Sequence, residues 1–199
     1  YQSCHQIMFV QYMPFLLMTF LGVDRYWEKG KPGLYTLGVF LMILTSFYFS
    51  IAGMAAIFLY GWYGYPKGIR KRKLFGFPVP MIVAVLSAGV LLIPTAYAIL
   101  QRSGSSQSQN LKELLMPNLQ LDSSLYGTYS VGLTVILVAV LLGGIVCGSI
   151  RERVVSVVCV ALLTVPVFAW GFNGMLYVRY KSLIPFLPFF CYLTAVFLN

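Results

Sequence analysis

The chain has 199 residues, of which 59% are hydrophobic and 10% charged, and its formal net charge is +9. The apolar residues form long runs, such as 131–146 and 154–170, whereas a soluble domain shows one-sided helical stripes or alternation. This pattern excludes a soluble globular enzyme and predicts a polytopic, all-α integral membrane helical bundle. Its basic residues stand beside the apolar runs, which indicates membrane topology and argues against nucleic acid as a partner.

The first predicted span covers residues 7–23, and a charged turn with aromatic residues follows at 24–33. The next charge-free stretch, Leu34 to Tyr65, is long. As one helix of about 32 residues it would reach roughly 48 Å, well beyond a hydrocarbon core of about 30 Å. Two arrangements accommodate it: one long tilted helix, or a hairpin of short helices at about 34–46 and 50–65 with its turn at Phe47–Ser50.

The basic residues decide between these arrangements. A hairpin places ten of them on one side of the membrane: Arg25, Lys29, Lys31, Lys67, Arg70, Lys71, Arg72, Lys73, Arg151 and Arg153. The other four, Arg102, Lys112, Arg179 and Lys181, then lie outside. A single crossing would give seven on each side, which the positive-inside rule disfavours. We therefore predict the hairpin, with the charged segments 24–33 and 67–73 in the cytoplasm.

The rest of the chain continues the alternation of spans and loops within one transmembrane domain, 1–199. Its predicted parts are a span at 77–100, an outer loop at 101–125 with a short surface helix at 111–116, spans at 126–148 and 154–172 around an inner turn at 149–153, and a truncated span at 183–198. The first residue is not Met, and the last apolar run has no closing polar flank. We expect the chain to be part of a longer polypeptide.

Motifs of soluble enzymes are absent from the sequence, which has no P-loop, no G-x-S-x-G and no H-E-x-x-H. Its four cysteines show no C-x-x-C spacing, so we expect buried thiols that pack as small hydrophobes, with neither disulfides nor a metal site. No cofactor is predicted, and a divalent metal is left open. None of the five carboxylates lies in the middle of a span, which argues against an ion-coupled transporter.

Several segments resemble, in order, the bacterial YfhO membrane protein family: Gly22–Tyr26, Lys29–Lys31, Thr45–Phe49 and Asn173–Pro188. The resemblance covers most of this chain and a middle portion of a typical member. It implies a C-type glycosyltransferase-like (GT-C-like) architecture in the bacterial plasma membrane. It also implies an undecaprenyl-phosphate sugar donor, a cell-wall polymer such as lipoteichoic acid as acceptor, and surrounding membrane lipids as partners.

The family's catalytic carboxylate belongs to the first outer loop, which the resemblance places upstream of Tyr1. The catalytic residue of this chain is therefore unknown, and we expect the chain alone to be inactive. Glu113 and Asp122, the outer carboxylates present, are interpreted as solvated surface charges.

Arg179 and Lys181 are the candidate phosphate-binding residues, because they occupy a short outer loop where basic residues are disfavoured. Lipid headgroup contact or snorkelling from the last span is the alternative. Tyr48, at the predicted turn of the hairpin, would contact a sugar or pack as an interface aromatic. His5 with Gln6, at the outer mouth of the first span, would orient donor or acceptor or serve a structural role.

Two other functions remain open from the sequence, a non-catalytic membrane scaffold and a lipid or solute transporter. An acidic residue in the first outer loop of the full-length protein favours the enzyme, and its absence favours these alternatives.

Overall fold

The computed structural model describes residues 11–66, 71–102, 114–117, 134–175, 178 and 180–198. These residues form helices and contain no strand, which confirms the all-α prediction. The helices are α1 Met13–Lys29, α2 Gly33–Thr45, α3 Phe47–Tyr63, α4 Lys71–Gly76, α5 Pro78–Arg102, α6 Val135–Cys147, α7 Ile150–Thr164, α8 Pro166–Phe172, a 3₁₀ segment Tyr180–Phe186 and α9 Leu187–Leu198. The chain divides into two compact units, Tyr1–Ser106 and Gln107–Asn199.

In the first unit, α1 and α2 form a tight antiparallel pair. Gly30 ends α1 in the left-handed conformation, with φ of 69°, and its N–H bonds to the carbonyl of Tyr26. Farther along the pair, Gly22 faces the backbone of Tyr35, whose nitrogen would lie 2.6 Å from a Cβ added at Gly22. The lack of a side chain at Gly22 therefore lets the two helix backbones approach closely.

The chain reverses again between α2 and α3. Near the start of α3, the ring of Phe49 stacks on Tyr12 at 5.0 Å between centroids. Near its end, the hydroxyl of Tyr60 donates to the carboxylate of Asp24. Because Tyr12 and Asp24 stand at opposite ends of α1, α3 runs parallel to α1 and antiparallel to α2. The predicted helical hairpin at 34–65 is confirmed.

The turn of this hairpin lies at Ser46, one residue before the predicted turn at Phe47–Ser50. Ser46 has an extended backbone, and its hydroxyl accepts the N–H of Phe49 at 3.4 Å as the N-cap of α3. This cap starts the helix at Phe47. Tyr48, predicted at the turn itself, consequently lies in the first turn of α3, where it is half-buried.

Phe77 separates the short helix α4 from α5. Its ring stacks on Trp27 at 5.0 Å and on Tyr35 at 5.4 Å, and the residue is only 2% exposed. Helix α5 extends beyond the predicted span 77–100 at its carboxyl end. Apolar side chains are exposed along it, as on a helix that faces lipid: Val79, Ile82, Val83, Leu86, Val90, Leu91 and Ile93.

In the second unit, α6 and α7 are joined by a turn of two residues, Gly148 and Ser149. The N–H of Ser149 bonds to the Glu152 carboxylate at 2.6 Å. The guanidinium of Arg153 donates to the carbonyls of Gly148 and Val146 at the end of α6. The inner turn predicted at 149–153 is thus shorter, and both of its arginines belong to the first turn of α7.

Within the described residues, two helical stretches are long and apolar enough to cross a membrane, Lys73–Pro94 and Tyr180–Leu198, and there is a third if α7 and α8 are counted together. The apolar helices α2, α3 and α6 are shorter. Helix α2, with 13 residues, reaches only about 20 Å against a hydrocarbon core of about 30 Å.

The cysteines differ in part from the expected pattern. Cys159 is fully buried in α7, as expected of a thiol that packs as a small hydrophobe, but Cys147 and Cys191 are exposed. All three are free thiols, while Cys4 lies outside the described residues. The two exposed cysteines stand on outward helix faces, because an apolar span buries only part of its circumference.

Candidate functional site

A sharp bend separates α7 from α8. The sequence predicted one span at 154–172, but the two helices meet at Val165 with an angle of 79° between them. Pro166 has no N–H to continue the helix, and the residue before a proline is pushed out of the helical region. Val165 accordingly has φ of −97° and ψ of 114°.

Helix α8 ends in a turn that reverses the chain. Asn173 is its C-cap and is 1% exposed, and its N–H bonds to the carbonyl of Ala169. Two left-handed residues follow, Gly174 with φ of 67° and Met175 with φ of 61°. The N–H of Met175 bonds back to the carbonyl of Trp170 at 3.0 Å, which fixes the turn against the helix it follows.

The 3₁₀ segment then packs on α8. The Ser182 hydroxyl donates to the carbonyl of Ala169 at 3.2 Å, the same carbonyl that accepts the N–H of Asn173. The rings of Phe172 and Phe186 lie 5.6 Å apart. A hydrogen bond and an aromatic contact therefore hold this segment beside the end of α8.

Four polar residues at this junction, which we call the Lys181 cluster, are buried: Asn173, Tyr180, Lys181 and Ser182. Lys181 is 9% exposed. The hydroxyl of Tyr180 has no hydrogen-bond partner within the described part of the chain. Buried polar and charged groups are costly in an apolar protein and mark functional positions in membrane helices.

The chemistry of the cluster suits an anion. An ammonium group offers three donors and no acceptor, and Lys181 carries this positive charge between Tyr180 and Ser182 in the buried 3₁₀ segment. A lysine acts on phosphate as a compact point charge, without the planar fork of arginine. Lys181 can therefore neutralise an anionic group.

The other predicted site residues lie elsewhere in the chain. Tyr48 belongs to the first unit, where its ring contacts Phe49 edge-on at 4.9 Å. Arg179, His5 and Gln6 lie outside the described residues. Lys181 itself was predicted in a loop, and the structure has it in a buried 3₁₀ turn.

Sequence reasoning did not identify Tyr180 and Ser182 as members of the site. Their positions next to Lys181 are the one signal in the sequence, and their burial depends on the return of the chain against α8. Among the described side chains, no three of His, Cys, Asp or Glu come together as potential metal ligands.

A second polar pair lies in the first unit, beyond the apolar part of α1. Tyr60 donates its hydroxyl to both carboxylate oxygens of Asp24, at 2.9 and 3.1 Å. Burial raises the pKa of Asp24 above its usual value, the Tyr60 hydrogen bond lowers it, and the charge of Glu28 raises it. No local sequence pattern indicates this pair, because 36 positions separate its two residues.

The family model described as bacterial membrane protein YfhO matches residues 2–177. No curated protein and no solved structure matches the chain.

Proposed function

The chain belongs to the bacterial membrane protein YfhO family, and from this premise we propose that it forms part of a membrane glycosyltransferase. The substrate class is an undecaprenyl-phosphate sugar, and the acceptor is a cell-wall polymer such as lipoteichoic acid. The enzyme would be a multi-pass protein of the bacterial plasma membrane. The family resemblance supplies the reaction, and the Lys181 cluster is the feature of this chain that supports it.

The carrying observation is the burial of Lys181 beside a bent, apolar helix. A lysine this deep in an apolar unit is stabilised when its ammonium meets an anion. The phosphate of a lipid-linked sugar brings such an anion to the membrane. Exposed apolar side chains of the same unit, among them Val157, Phe168 and Val196, offer contact for a polyprenyl chain.

In the proposed reaction, a hydroxyl oxygen of the acceptor attacks the anomeric carbon of the sugar. The bond from that carbon to the phosphate oxygen breaks, and the phosphate leaves with the electron pair. The acceptor proton passes to a carboxylate base, which the family resemblance assigns to a segment upstream of this chain. Lys181 would neutralise the charge that develops on the leaving phosphate, where an oriented cation contributes most.

The test measures sugar transfer by the full-length protein in proteoliposomes, with a labelled undecaprenyl-phosphate sugar as donor. Lys181→Met removes the charge and keeps the apolar stem, and Lys181→Arg keeps the charge. We expect Lys181→Met to weaken donor binding or transfer about ten- to a hundredfold, because a charge-assisted contact contributes about 1.5–3 kcal/mol. Lys181→Arg should retain much of the activity.

Thr194→Val is the local control, because the hydroxyl of Thr194 bonds to the carbonyl of Phe190 in its own helix. Its transfer activity should equal that of the unaltered protein. Equal donor binding and equal transfer by Lys181→Met and the unaltered protein would remove Lys181 from the site.

The bend between α7 and α8 favours one alternative, a lipid or solute transporter. Transporters bind their substrates at breaks in membrane helices. Here the helix is bent by 79° at Val165, and the buried Lys181 follows shortly afterwards in the sequence. The proteoliposome assay separates the two functions, because a transporter moves the labelled donor across the bilayer and leaves its sugar–phosphate bond intact.

A further inference from the structure

Three lysines surround the turn between α1 and α2. Lys29 ends α1, Lys31 follows Gly30, and Lys73 of α4 places its Nζ 3.9 Å from the position of a Cβ added at Gly30. All three side chains are exposed. Within the described ranges, none of the three forms an ion pair with a carboxylate. We call these residues the lysine triad.

The fold, and not chain proximity, brings Lys73 to this turn. The hydroxyl of Tyr26 donates to the backbone carbonyl of Lys73 at 3.1 Å. Four residues farther on, Phe77 is buried between the rings of Trp27 and Tyr35. These two anchors hold α4 against the end of α1, so the third lysine is kept at the turn.

Nearby carboxylates do not cancel the charge of the triad. Asp24 accepts the hydroxyl of Tyr60, and Glu28 is an exposed carboxylate near the end of α1. Arg25, also exposed on α1, adds a fourth cation. Among the described side chains at this turn, four cations therefore stand against two carboxylates, and the excess of positive charge favours an anionic ligand.

The surroundings of the triad match the headgroup level of a bilayer. Tyr26 and Trp27 lie at the same end of α1, and aromatic residues of this kind concentrate at membrane interfaces. Leu21 of α1 and Leu37 of α2 expose apolar side chains farther along the pair. A ligand bound here can place an anionic group among the lysines and acyl chains along the helices.

We propose that Lys29, Lys31 and Lys73 form a binding site for the phosphate of an anionic phospholipid in the cytoplasmic leaflet. The lysines supply the charge, and the exposed apolar faces of α1 and α2 contact the acyl chains. The site lies in the first unit and is independent of the sugar-transfer function proposed for Lys181. Its charge dependence predicts that binding weakens as ionic strength rises, since exposed charges are screened by salt.

The experiment measures, by native mass spectrometry of the purified full-length protein, how much phosphatidylglycerol and phosphatidylcholine it retains. The unaltered protein should retain phosphatidylglycerol preferentially. Each Lys→Gln substitution in the triad should lower this preference about fivefold. One basic residue near an anionic surface contributes about 1 kcal/mol, which corresponds to about a fivefold change in affinity. The triple variant Lys29→Gln/Lys31→Gln/Lys73→Gln should lose the preference.

The triple Lys→Arg variant is the matched control, because it keeps the charge and should keep the preference. Inorganic phosphate and undecaprenyl phosphate, added separately, test the source of the anion. Retention of phosphatidylglycerol in excess inorganic phosphate supports a lipid site, and displacement would assign the lysines to a soluble anion. Stronger retention of undecaprenyl phosphate than of phosphatidylglycerol would overturn the assignment to a phospholipid, as would an unchanged preference in the triple Lys→Gln variant.

Discussion

The hydroxyl of Tyr60 lies 2.9 and 3.1 Å from the two carboxylate oxygens of Asp24, although 36 positions separate the residues in the chain. This contact joins the end of α3 to the end of α1. Because α2 lies between these helices in the chain, the bond closes the three-helix arrangement at its basic end.

We expect Tyr60→Phe to raise the pKa of Asp24 further, because the hydrogen bond from Tyr60 lowers it and burial already raises it. A carboxyl group with a raised folded-state pKa stabilises the fold below its ordinary pKa, and this contribution is lost as pH rises through the folded value. Tyr60→Phe should therefore extend to higher pH the range over which Asp24 stabilises the fold. Infrared titration of the carboxyl band, with Asp24→Asn to assign it, measures the change.

An unchanged Asp24 titration in Tyr60→Phe would show that the hydroxyl does not bond to the carboxylate in the membrane. The free energies of unfolding of Tyr60→Phe, Asp24→Asn and the double variant form a double-mutant cycle that gives the coupling energy between the two side chains. A coupling energy near zero would contradict a direct interaction.

Gly22→Ala should destabilise the first unit, because the added Cβ would meet the Tyr35 backbone nitrogen at 2.6 Å and its Cα at 2.7 Å. Backbone atoms cannot move aside as a flexible side chain does. We expect a loss of about 1–3 kcal/mol, typical of overpacking. The measurement is unfolding in detergent micelles.

Gly89→Ala is the control for this substitution, because Gly89 lies within α5 and has no atom within 4 Å of the added Cβ. Alanine there should leave stability unchanged or raise it by about 0.5–1 kcal/mol, since it restricts the unfolded chain. Equal destabilisation by both alanines would argue against close packing of α1 on α2.

Phe77→Ala should destabilise the protein by about 3–5 kcal/mol, the range for an aromatic ring removed from a packed core. The ring fills the space between Trp27 and Tyr35, and its tip lies against Gly61. Phe75→Ala is the matched control, because Phe75 is 80% exposed two positions away.

Thermal unfolding of both variants in the same detergent separates packing from general loss of an aromatic residue. We expect only Phe77→Ala to lower the midpoint. A similar shift in Phe75→Ala would mean that membrane contact of these rings matters more than the packing of Phe77.

Cysteine labelling in whole cells tests the hairpin in the membrane. In a protein whose four native cysteines are replaced by alanine, Lys31→Cys and Pro66→Cys should both react only after the membrane is made permeable. Phe47→Cys, at the exposed start of α3, should react in intact cells, because the hairpin places its turn on the opposite side of the membrane. Labelling of Lys31→Cys and Pro66→Cys from opposite sides would exclude the hairpin.

Much of the fold follows from charge and hydropathy, because both act over whole segments. The distribution of basic residues predicted a hairpin at 34–65, and the structure has one. Its turn was misplaced by a residue because the cap that starts α3 depends on one hydroxyl, that of Ser46. The break at Val165 was also available from the sequence, since Pro166 cannot continue a helix, but the apolar run through it suggested one span.

The candidate site was less predictable, because burial there depends on contacts that no local pattern contains. Gly174 and Met175 adopt left-handed conformations at the end of α8, and the bond from Ser182 to Ala169 holds the 3₁₀ segment against that helix. The sequence identified the lysine but assigned it to a loop. The left-handed conformation of Met175 was not predictable from its residue type, because non-glycine residues adopt this conformation rarely.

The hairpin of α2 and α3 also has a consequence for synthesis of the protein. Helix α2 ends at Thr45, yet its Met42 packs against Gly53 of α3, which has not left the ribosome when α2 is complete. At about 5–20 residues per second, the 17 residues of α3 follow over roughly 1–3 s. During this interval α2 can already pack against α1, which is made first, and its contact with α3 waits for the second arm of the hairpin.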